Sequence, residues 1–124
     1  MSSLDSMMHQ LRVDLDGALL ASAVWRDPET PLVSFAPPPG AVGRFHRFTD
    51  ELGALLKDTG FPPLGEYYML ALEQGRMVVV LNAGGLRWGM LVDSGRTTLG
   101  VLLAVAVPSA LAALGRLAAE GEQP

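Results

Sequence analysis

The chain has 124 residues and a formal net charge of −4, from 9 Lys+Arg against 13 Asp+Glu. That length can bury a real core, and 49% hydrophobic against 18% charged residues excludes a disordered or highly solvated chain. The acidic balance argues against a nucleic-acid partner, and the absence of cysteine removes disulfides, thiolate zinc sites, iron–sulfur clusters and cysteine nucleophiles together.

Leu4, Met8, Leu11 and Leu15 recur at helical spacing and predict a first helix, with Ser2 or Ser3 as its cap and Gly17 as its stop. No Lys or Arg precedes Arg12 and no apolar run follows directly, so no secretory signal is read and a cytoplasmic location is expected. Ala18–Trp25 and Leu32–Phe35, separated by the turn residues around Pro28 and Pro31, predict a hairpin. Ala36-Pro37-Pro38-Pro39-Gly40 is too short for an interdomain linker and reads as a rigid connection. Val42, Phe45, Phe48 or Thr49, Leu52, Leu55 and Leu56 then follow a helical period that ends at Gly60, Phe61 and Pro62-Pro63.

Three strand-like runs come next: Glu66–Glu73, Met77–Leu81 and Leu86–Asp93. The turns Gln74-Gly75 and Ala83-Gly84-Gly85 between them are short, which predicts an antiparallel meander. From Thr97 to Gly115 no residue is charged. The run barely reaches the length of a membrane span and has neither an aromatic belt nor a basic cluster, so a core helix is the preferred reading over insertion. Its alanines favour a helix kinked at Pro108, and a strand over Thr98–Ala106 followed by a helix from Pro108 is the alternative. The order is helix-strand-strand-helix-strand-strand-strand-helix, an α+β fold with a five-stranded antiparallel sheet sandwiched by helices. Residues 1–120 form one domain and 121–124 a frayed tail.

Little in the chain suggests catalysis. His9 and His46 stand in no cluster with metal-ligand spacing, His46 having only Asp50 at helical distance. Gly84-Gly85 and Gly95 read as turn glycines, since no phosphate-loop pattern follows a strand and Lys57 is the only lysine. Ser94 has no histidine in sequence reach, and Asp14 and Asp16 point to different helix faces. Arg44 and Arg47 could reach a partner as arginine fingers do, although a solvated helix face explains them as well. His46–Asp50 and Arg47–Glu51 are spaced as ion pairs. Phe45, Phe48, Leu52, Leu55 and Leu56 are expected to fill the stripe by which the second helix packs on its own sheet. A further apolar surface then has to come from the last helix, apolar nearly all round, which a dimer or a docked partner would cover. No catalytic residue, metal or cofactor is expected, and the chain is not read as an enzyme.

The element order with these turns resembles the roadblock (dynein light-chain type) family across nearly the whole chain. Arg96-Thr97-Thr98-Leu99-Gly100 after Val92-Asp93 looks like the entry to the family's last helix. The hairpin from Glu66-Tyr67-Tyr68-Met69-Leu70 to Met77-Val78-Val79-Val80 and the turn at Gly84-Gly85 sit where bacterial members carry them. Pro108 inside the last helix and the Pro37–Pro39 run depart from the pattern. The resemblance implies a homodimer, or a heterodimer with a paralogue, in which the second helices pack antiparallel and the third strands pair. It further implies a non-catalytic regulator or scaffold of a small Ras-like GTPase, acceleration of GTP hydrolysis being one form of that regulation. By the same resemblance Arg44, Phe45, Arg47, Phe48, Glu51, Leu52 and Leu55 are the partner or dimer-interface residues. The alternative is a ligand-sensing or adaptor module of the same fold that binds no GTPase; a membrane-anchored subunit is the third reading.

Overall fold

A computed structural model describes residues 3–122, with side chains through residue 120. Helix α1 (Ser3–Leu15) buries Met7, Met8, Leu11 and Leu15, close to the predicted stripe. Ser3 is itself the first helical residue, and a cap by Ser2 lies outside the described residues. The chain leaves the helix through two left-handed residues, Asp16 and Gly17, at φ 39° and 84°. Asp16 is thus past the helix end, and its position relative to Asp14 is set by that turn.

Strands β1 (Leu19–Trp25) and β2 (Val33–Phe35) form the expected hairpin, followed by α2 (Ala41–Asp58). Then come β3 (Tyr67–Ala71), a short 3-10 turn at Glu73–Gly75, β4 (Arg76–Ala83) and β5 (Leu86–Asp93). The third strand is shorter at both ends than the predicted Glu66–Glu73, because Glu73 already belongs to the turn. Gly84 and Gly85 close the β4–β5 hairpin with positive φ at both positions (53° and 83°), the geometry whose twist matches the flanking strands. All neighbours are antiparallel and the sheet order is β2-β1-β5-β4-β3, so β3 is an edge.

The last element is one continuous helix, α3, made of Leu99–Val101, a π-helical segment Leu102–Ala106, and Val107–Glu122. This decides between the two expectations for 98–106 in favour of helix. Thr98 starts it, its Oγ1 accepting from the Val101 N–H at 3.0 Å. The irregularity expected at Pro108 takes the form of the π segment, whose end bonds the Val107 N–H to the Leu102 carbonyl. A proline cannot donate to, and crowds, the preceding turn, and wider i→i−5 bonding is one way a helix absorbs that.

Strand alternation decides which side chains meet which layer. On β5, Leu86, Trp88, Met90 and Val92 are buried against α1 and α3. With Val79, Leu81, Met8, Leu11, Leu102 and Leu114 they form the single core cluster, on one face of the sheet. The remaining residues of β5, Arg87, Gly89, Leu91 and Asp93, face the opposite way, and α2 crosses that side.

Candidate functional site

The α2 side of the sheet is built differently. Ala21, Ala23 and Gly89 give α2 little to pack on, and a cavity of about 220 Å³ opens there beside Trp25, Val42 and Phe45. Trp25 lies over Gly89, where an added Cβ would come within 3.2 Å of the indole. Of the whole helix only Thr49 is fully buried. The expectation that Phe45, Phe48, Leu52, Leu55 and Leu56 all pack on the sheet is therefore corrected: Phe48 is 38% and Leu55 58% exposed. Thr49, with half-buried Phe45, Leu52 and Leu56, marks the line of the helix that faces the sheet, and Phe48 and Leu55 lie to one side of it.

Polar bonds hold α2 instead. The Arg87 guanidinium, projecting from β5, donates to the His46 carbonyl at 2.9 Å and to Asp50 Oδ1 at 2.6 Å. The Trp25 Nε1–H donates to His46 Nδ1 at 3.2 Å, while His46 Nε2 stands 3.6 Å from Asp50 Oδ2. Nδ1 therefore acts as acceptor, and the ring proton sits on Nε2, toward Asp50. The Thr49 hydroxyl donates to the Phe45 carbonyl at 2.7 Å, so it accepts from the Tyr68 hydroxyl at 2.7 Å. Hydrogen bonding from Arg87 holds the Asp50 carboxyl below its ordinary range, and burial pushes the Tyr68 phenol above its own. The rings of Phe45, Phe48 and Tyr68 meet edge to face in sequence, with centroids 6.5 and 6.0 Å apart.

The residues named from sequence fall on two sides of this helix. Phe45 and Leu52 are half-buried, whereas Arg44, Arg47, Phe48, Glu51 and Leu55 are exposed. The His46–Asp50 pair forms, but among the described residues Arg47 and Glu51 make no ion pair. Sequence reasoning missed Trp25, Arg87 and Tyr68, which fix the helix. A signal existed for Arg87: it is a charged residue in a strand whose alternate positions are all core, so it must face a different layer. Asn82, its cross-strand partner, buries both ends of its amide with no hydrogen-bond partner among the described residues. No group of three or more His, Asp or Glu among those residues could share a metal ion.

No family model and no curated relative matches the chain. Solved structures do. The gliding protein MglB of Thermus thermophilus aligns with a TM-score of 0.74 at 18% identity, covering 97% of this chain and 93% of that one. Myxococcus xanthus MglB aligns at 0.74 and 10% identity over 94% and 95%. An MglB with a tetrameric arrangement aligns at 0.73 and 17% over 97% and 93%. The fold is roadblock-like. At these identities the likeness shows the fold, and the partners have to be argued from the surface.

Proposed function

We propose that this chain is a non-catalytic dimeric regulator or scaffold of a small Ras-like GTPase, acting in the cytoplasm. One observation carries the reading. Of eleven exposed large hydrophobic side chains among the described residues, five (Phe48, Leu55, Phe61, Tyr67 and Leu72) lie between the start of α2 and the residue that follows β3. That segment combines a helix whose apolar stripe its own sheet does not cover with a sheet edge that has no neighbour in this chain. Pairing β3 with the β3 of a second copy, and α2 with α2, answers both deficits at once. The GTPase partner follows from the resemblance to bacterial roadblock regulators, which the likeness to solved MglB chains supports at the level of fold. With no conspicuous catalytic group on α2, an effect on hydrolysis would come from positioning the GTPase's own residues.

Sedimentation of the wild type and Phe48→Asp at low concentration tests the dimer, with two chains expected for the first and one for the second. Capture of a small GTPase from native lysate on the immobilised chain, with GTP analogue or GDP in excess, tests the partner. Retention mainly with the triphosphate makes the chain a regulator, and equal retention makes it a scaffold. A second reading, a ligand-sensing module, is favoured by the apolar cavity beside Trp25 and Phe45. Absence of any retained GTPase would select it.

A further inference from the structure

The cavity of about 220 Å³ beside the start of α2 has a floor of Ala21, Ala23 and Gly89 and a helix wall of Val42 and Phe45. Its sides are held apart. The Trp25 indole lies against Gly89, where an added Cβ would come within 3.2 Å, and its bond to His46 tethers it there. Pro37 and Pro38 form a third side at fixed φ, and the Pro38 carbonyl accepts from the Ala41 N–H at 3.1 Å, which ties that arm to the helix. The lining is almost entirely hydrocarbon and includes no charged side chain. Its one side-chain hydroxyl, on Ser22, already donates to the Gly89 carbonyl and accepts from the Trp88 N–H. The Trp25 N–H is likewise engaged by His46.

We propose that this cavity binds a small uncharged hydrocarbon, a benzene ring with a short alkyl chain or its equal in size, and that filling it fastens α2 to the sheet. The lining selects that class. Water needs two to four polar partners, and none in the lining is free. A charged or hydrogen-bonding group would lose its hydration here with nothing to replace it. A cavity of about 150 Å³ lined by hydrocarbon holds benzene, so the larger volume here leaves room for the added chain. A second copy paired at β3 is less well placed to fill it, because Ala21 and Ala23 lie on β1, three strands in from that edge and about 14 Å across the sheet. Val42 and Phe45 belong to α2 and the floor belongs to the sheet, so a bound molecule touches both. It adds the hydrocarbon contact that α2 otherwise lacks. The proposal deepens the ligand-sensing reading by naming the ligand's chemistry, and it holds with or without a GTPase partner.

Titration with toluene and n-butylbenzene, and with benzoate as the charged counterpart, tests this on the wild type by NMR and thermal melting. Both hydrocarbons should shift the Trp25 indole N–H and the first α2 amides in a saturable way and leave the α1 amides in place. At about ten times its Kd, either should raise the melting temperature by about 5 °C. Benzoate should do neither. Ala23→Leu on the floor and Val42→Trp on the helix wall each fill the space, and both should abolish the response. If the first fails to fold, the second decides, since Val42 is only half-buried. No saturable shift up to the solubility limit overturns the proposal, as does an equal response to benzoate or an undiminished one in Val42→Trp. A response seen in Phe48→Asp but absent from a dimeric wild type also overturns it, and assigns the cavity to the second copy. None of these outcomes depends on whether a GTPase is captured, so that reading and this one fail separately.

Discussion

Two tryptophans lie on opposite faces of the sheet, and their indole N–H groups are satisfied in different ways. Trp88, on the face covered by α1 and α3, donates to the Ser22 hydroxyl of the adjacent strand at 2.8 Å, and Ser22 donates on to the Gly89 carbonyl. Trp25, on the other face, donates across the layer boundary to His46 of α2. The first arrangement is complete within the sheet, whereas the second exists only while the helix is docked. The pattern extends to the whole of each face. One side is filled by hydrocarbon from Met8 to Leu114 beneath a polar-edged groove between α1 and α3, the other by small residues, an apolar cavity and bonds from Arg87, Trp25 and Tyr68. Hydrocarbon burial is large and non-directional, while hydrogen bonds are individually modest and fix one orientation. The core face thus supplies stability, and the α2 face holds a partly exposed apolar helix at a set angle.

The largest test of that division compares two leucines. Leu114→Ala in α3, where the side chain is fully buried, should cost about 3 kcal/mol in urea unfolding. Leu55→Ala on α2 should stay within about 0.5 kcal/mol, as exposed substitutions do. Comparable losses at the two sites would mean that the faces are energetically alike. Arg87→Met comes next. It removes the donors to His46 and Asp50 but keeps the hydrocarbon stem, and should cost about 1–2 kcal/mol. The informative readout is local: amide exchange should quicken across α2 while the β4 and β5 amides keep their protection. Unchanged exchange in α2 would show that the guanidinium does not hold the helix.

Periodicity made the core face legible. Leu4, Met8, Leu11 and Leu15, and the alternation Leu86, Trp88, Met90, Val92, announce both the elements and their buried sides, because hydrocarbon in a regular element repeats with that element's geometry. The α2 face follows no such rule. Whether Phe48 and Leu55 are covered depends on which line of α2 faces the sheet, and that is set by contacts from Arg87 and Tyr68, on strands far away in the chain. A helical stripe in sequence says that a face wants cover without saying that this chain provides it. The clamp was equally hidden: His46 and Asp50 are visible as a pair, but Arg87 lies 41 residues beyond His46 and reaches it only through the β5 register. The segment 98–106 was ambiguous because Thr98–Ala106 mixes β-branched residues with alanines. The Thr98 cap and the π segment ahead of Pro108 settle it by local bonding that composition does not reveal.

The smallest effect should appear on lowering the pH, and it separates the faces without any mutation. Asp50 has a folded-state pKa below the ordinary 3.8, first because Arg87 donates a hydrogen bond to it, which outweighs the opposing effect of desolvation, and further because of the Arg87 charge. A depressed carboxylate contributes stability that is fully present above its unfolded value and is lost as the pH falls through its folded one. The Asp50 side chain is 59% exposed, so solvent screens the pair and the loss should be only tenths of a kcal/mol. Tyr68 acts in the opposite direction. Burial raises its pKa above 10.0, so its contribution is complete below that value and fades as the pH climbs through the raised one. Both groups bear on α2, and the core cluster contains no ionisable side chain. As the pH falls below 3.8, where the lowered Asp50 carboxyl takes up its proton, the Trp25 indole N–H and the α2 amides should therefore shift together, while the Trp88 indole stays put. Arg87→Met should flatten the response of Trp25. A Trp88 signal that moved in step with Trp25 would mean that acid acts on the whole sheet, and the division between a stabilising face and a positioning face would fail.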